Sequence, residues 1–72
     1  MELNSEKLYR VIGQAAYAEA TDQEKAIVKF GMTPKSLLDR MDIELNEMGR
    51  DGLRGFALGV MDEAEKDGGM RV

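Results

Sequence analysis

The chain has 72 residues, no cysteine, no histidine and a formal net charge of −4. These facts exclude disulfide staples and the usual zinc ligand sets, and they leave room for one domain. A single core of this size supplies only ~3–5 kcal/mol, so good helix packing, self-association or a partner has to supply the rest.

The first helix is predicted from about Ser5 to Ala20. Ser5 serves as a cap and Glu6 sits near the positive helix end. At 100° per residue, Leu8, Val11, Ile12, Ala15 and Ala16 share a stripe, which is expected to face inward. Thr21-Asp22-Gln23-Glu24 reads as a capping box, with a hydroxyl at the cap and a carboxylate three residues on. It starts a second helix that runs to about Phe30, with Ala26, Ile27 and Phe30 inward and Gly31 as a left-handed stop.

Thr33-Pro34 is expected to open a third helix, with Thr33 as cap and Pro34 in the first turn. Its inner stripe is Leu37, Leu38, Met41, Leu45 and Met48, and Gly49 is the next stop signal. Asp51 is the expected cap of a fourth helix to about Lys66, with Leu53, Phe56, Ala57, Val60, Met61 and Ala64 on its apolar side. Gly68-Gly69 ends it, and residues 68–72 are expected to form a flexible tail. No run of alternating β-branched residues predicts a strand. The expected fold is therefore all-α: one domain over residues 1–72, a compact bundle of about four short helices, completed by dimerisation.

The charge is uneven. Residues 1–36 carry five bases and five acids, whereas residues 37–72 carry five bases and nine acids. An acidic surface of this kind repels nucleic acid and attracts basic partners. The polar N-terminus has no apolar leader segment, and no apolar run is long enough to span a membrane, so a soluble cytoplasmic protein is expected.

Enzyme chemistry finds little support. The commonest general base and the best nucleophile are both missing. Ser5 and Ser36 stand at expected helix caps. "DRMDIELNE" lacks the glycine and spacing of a calcium loop, and no Gly-Lys-Ser/Thr phosphate loop occurs. No cofactor or metal site is predicted.

Two binding readings remain. The segment 22–48 has the local form of a helix-turn-helix, with Lys35, Ser36 and Arg40 as readers of a DNA duplex. Against it stand Asp39, Asp42, Glu44 and Glu47, which would lie beside the phosphates. The favoured reading is a regulator or inhibitor that binds another protein, one with a basic surface. Size and composition suit a phage or mobile-element product that blocks a host protein. Each predicted helix leaves one larger apolar residue off its inner stripe: Tyr17, Val28, Ile43 and Leu58. Ile43 is the clearest, an apolar anchor among Asp39, Arg40, Asn46 and Glu47, a mostly acidic rim, with Asp39, Asp42 and Glu47 expected to face the partner's basic surface. Tyr17 and Leu58 join it as predicted contacts. Gly52, Gly55 and Gly59 fall on one side of the fourth helix, which implies either close approach by another backbone or a loop in place of the helix start.

Overall fold

The computed structural model describes residues 5–68. Four helices follow one another: α1 (Ser5–Glu19), α2 (Asp22–Lys29), α3 (Lys35–Arg40) and α4 (Leu45–Lys66). There is no strand among the described residues. The tail beyond Gly68 lies outside them.

The principal interface joins α1 to α4. The two helices run parallel, because partners rise together along both: Glu6 meets Gly55, Arg10 meets Gly59 and Asp62, and Tyr17 meets Asp67. Glycine makes this contact possible. A Cβ on Gly55 would overlap the Glu6 carbonyl, one on Gly59 the Arg10 carbonyl, and one on Gly13 the Phe56 carbonyl. Backbone therefore lies on backbone, the geometry that small residues permit when two helices cross closely. The glycine side of the last helix is a packing face, and Gly52 belongs to the helix, buried against the Tyr9 ring.

This choice of interface overturns the predicted face of α1. Its buried residues are Gly13, Ala16 and Tyr17, while Leu8 and Val11 stay 46% and 63% exposed. Ala15 is exposed too. The apolar stripe read by periodicity points mostly to solvent because the closest approach is made by residues that hydropathy barely counts. In α2, Val28 is buried and Phe30 is 84% exposed, the reverse of expectation. An eight-residue helix has little more than two turns, and Val28 is the one apolar residue that α2 buries.

The core comprises Ala16, Tyr17, Val28, Leu37, Leu38, Met48, Phe56, Val60 and Ala64. The predicted inner residues Phe56, Val60 and Ala64 are inside, but Leu53 is 43% exposed. The capping box forms as read: the Glu24 N–H donates to the Thr21 hydroxyl at 3.1 Å, and the Thr21 N–H donates to the Glu24 carboxylate at 2.9 Å. The predicted stops at Gly31, Gly49 and Gly68 all adopt positive φ. Gly49, with φ 70° and ψ −176°, interrupts α4 after one turn, so the long helix resumes at Arg50. That conformation is essentially closed to other residues. Asp51 stands early in the resumed helix and makes no capping hydrogen bond.

Two further expectations need correction. Pro34, not Thr33, occupies the cap of α3, with no side-chain capping bond. Moreover, α3 stops at Arg40 instead of running on to Met48. The stop is made by Asp42, which takes φ 57°.

Candidate functional site

The early end of α3 builds a concave surface. The Asp42 N–H donates to the Asp39 carbonyl at 3.1 Å, and the Ile43 N–H donates to the Leu38 carbonyl at 3.0 Å. These two bonds are the Schellman ending of a helix, in which the residue after the left-handed position commonly packs on the residue five before it. Here those positions are Ile43 and Leu38. The chain then turns into α4, whose first residue, Leu45, is 47% exposed. Leu38, Ile43 and Leu45 form the apolar lining of an open cleft of about 400 Å³, and Lys35, Asp39, Glu44 and Asn46 form its polar lining.

The electrostatics of this cleft are lopsided. Lys35 reaches Asp39 at 3.7 Å on exposed side chains, a pair that contributes little. Arg40 is turned away: its guanidinium meets the Glu24 carboxylate at 3.1 Å on the other side of α3. Asp42, Glu44 and Glu47 form no ion pair with any described residue. An apolar floor is thus bordered by carboxylates whose charge nothing within the described fold neutralises.

The predicted contact residues separate in the structure. Asp39 and Ile43 line the cleft together. Asp42 and Glu47 are exposed on the segments that border it, without lining it. Tyr17 is not on a surface at all: it is 5% exposed, because the helix face taken as outer is the one packed on α4. Its hydroxyl donates to Asp67 at 2.8 Å, and Lys25 lies 5.5 Å above its ring. Burial first, and the bond to Asp67 second, push the phenol up to about 12. Leu58 is half-buried on α4, outside the cleft. Leu45 and Glu44 are not among the predicted partner contacts, since the sequence places Leu45 on the inner stripe of a third helix that in the structure ends at Arg40. The signal that could have found them is Asp42, a residue that tolerates left-handed backbone, standing between two helical runs.

The predicted DNA readers are occupied in the fold. Arg40 pairs with Glu24, Lys35 pairs with Asp39, and Ser36 adds to the stabilisation of the Glu24 carboxylate. Held foremost by the Thr21 backbone N–H and then by Arg40, that carboxyl drops to about 2. Arg10 and Asp62 pair at 2.8 Å across α1 and α4, which lowers the Asp62 pKa.

Among the described residues, no three carboxylates converge to hold a metal ion. No described helix is long and apolar enough to cross a membrane. Among the described residues, every buried side-chain polar atom has a hydrogen-bond partner. No known protein family, curated protein or solved structure gives a match to this chain.

Proposed function

We propose that this protein acts by binding another protein, as a regulator or inhibitor, and that the cleft between α3 and α4 is the contact surface. One observation carries the reading: Ile43 and Leu45 line an open cleft over buried Leu38, and Glu44, Asp42 and Glu47 beside it are carboxylates with no ion pair among the described residues. Apolar floors with polar rims are the usual anatomy of interfaces. The charge complement is a partner segment with an aliphatic or aromatic anchor flanked by lysine or arginine. Inhibition follows by occupancy, since a basic groove covered by this surface is closed to its ordinary ligand.

The DNA-binding alternative is weaker. It requires Arg40 to leave a buried carboxylate, and it uses a six-residue helix whose neighbouring acids repel phosphate. The two readings separate in one experiment. The tagged protein and its Ile43→Asp and Lys35→Ala/Arg40→Ala variants are used to capture partners with and without nuclease. Protein binding through the cleft predicts a stoichiometric, nuclease-resistant partner that is lost from Ile43→Asp while helicity is kept. Capture that survives Ile43→Asp contradicts the assignment, and nuclease-sensitive capture lost from the double alanine variant favours DNA.

A further inference from the structure

Helix α1 is apolar on two opposite sides. One side, with Tyr9, Gly13, Ala16 and Tyr17, packs against α4. The other carries Leu8, Val11, Ala15 and Ala18, all exposed. Their spacing of three, four and three residues is that of a seam between two helices. Nothing in the described fold covers this stripe. We propose that it is the self-association surface of the protein, and that a second copy lies on it antiparallel, about a two-fold axis between Val11 and Ala15. The inference stands apart from the cleft, which lies between other elements.

Side-chain volume selects the second copy and its direction. Large residues occupy the first half of the stripe and small ones the second. In a parallel pair, Leu8 would meet Leu8 and Ala18 would meet Ala18, a wedge that splays at one end. In an antiparallel pair, Leu8 meets Ala18 and Val11 meets Ala15, so large faces small along the whole seam. Even filling of that kind is what tight packing requires. Ile12, partly buried against the core, has its remaining exposed surface beside its own copy near the axis.

Charge points the same way. The last turn of α1 carries exposed Glu19, no basic residue, and no ion pair for Glu19 among the described residues. An acid there is unfavourable against the negative end of its own helix. In the antiparallel pair Glu19 lies beside Ser5 of the second copy, at the positive end of the opposing helix, and the sign of that interaction reverses. A single helix pair is a small interface, so the dimer is weak, with a dissociation constant in the micromolar range or above.

Sedimentation equilibrium from ~1 µM to ~1 mM tests the proposal. The wild-type chain is expected to dimerise within this range. Val11→Glu and Ala15→Glu, each changing the seam twice per dimer, are expected to raise the dissociation constant by about a hundredfold with unchanged helicity. Direction is read from cysteine variants, since the chain has none of its own. Val11→Cys mixed with Ala15→Cys should give the mixed disulfide in excess of either homodisulfide. A wild-type chain that stays monomeric throughout overturns the proposal. So does a dimer that tolerates both glutamates, or a Val11→Cys homodisulfide in excess, which would mean parallel pairing.

Discussion

Replacing Gly55 or Gly59 by alanine sets two physical effects against each other with opposite signs. On helix propensity alone, alanine in the interior of α4 stabilises by ~1 kcal/mol. The structure demands the reverse. The added Cβ at Gly55 or Gly59 would overlap a carbonyl oxygen of α1, and no rotamer change can move a backbone atom aside. The helices must separate by about 1 Å, which loosens the interface that holds the fold together. Overpacking costs ~1–3 kcal/mol, and overlap with a backbone atom that cannot rotate aside belongs at the upper end, ~2–3 kcal/mol. After the propensity gain is subtracted, each variant should lose about 1–2 kcal/mol, a large part of the stability of so small a domain. Gly52→Ala is the internal control: its Cβ would stand 2.9 Å from Cδ2 of the Tyr9 ring, a side chain that can yield, so its loss should be the smallest of the three. Urea unfolding followed by helical circular dichroism reads the difference. With a slope of roughly 1 kcal/mol per M, the midpoint should fall by about 1–2 M for Gly55→Ala and Gly59→Ala. A rise in midpoint for either would refute the close-packed interface.

Three other outcomes follow. Asp42→Gly should raise the urea midpoint by an amount equivalent to ~1 kcal/mol, since glycine takes φ 57° without the cost an L side chain bears; an unchanged or lower midpoint would show that the Asp42 side chain itself supports the turn. Glu24 has its folded pKa lowered to about 2 from 4.5, so its contribution is fully present above 4.5 and is lost as pH falls from 4.5 through 2; Arg40→Ala should lower stability at neutral pH and flatten that acid limb, and a pH profile parallel to wild type would count against the Glu24–Arg40 link. Tyr17 has its folded pKa raised from 10.0 to about 12, so its contribution is present below 10 and is lost as pH rises through 12; tyrosinate absorbance should show a phenol titrating near 12 that is missing in Tyr17→Phe, and a profile without that late step would contradict its burial.

The parts of the fold that rest on local backbone chemistry were legible in the sequence. Thr21-Asp22-Gln23-Glu24 specifies its cap through bonds within four residues, and Gly31, Gly49 and Gly68 stand where the backbone takes positive φ. Helix faces were less legible. Hydropathy ranked Leu8 and Val11 above Gly13 as inward residues, yet the interface is set by how closely two backbones can approach, a property of missing side chains. The same inversion put Tyr17 and Val28 outside when both are core. In α3 the helix stop was hidden because aspartate fills a position where glycine would have announced it. Ile43 was found as an anchor beside Asp39. The cleft around it was not, because Leu45 joins it only once the helix ends at Arg40.

The most direct test of the binding surface is site-specific photo-crosslinking in living cells. A photoreactive side chain at Leu45 reports what touches the cleft, and one at Val11 reports what touches the outer face of α1. Leu45 should yield an adduct with one other protein, lost when Ile43→Asp is added, and Val11 should yield an adduct of twice the chain mass. Failure of Leu45 to give a protein adduct, or an adduct indifferent to Ile43→Asp, would contradict the assignment of the cleft as the site where this protein binds its partner.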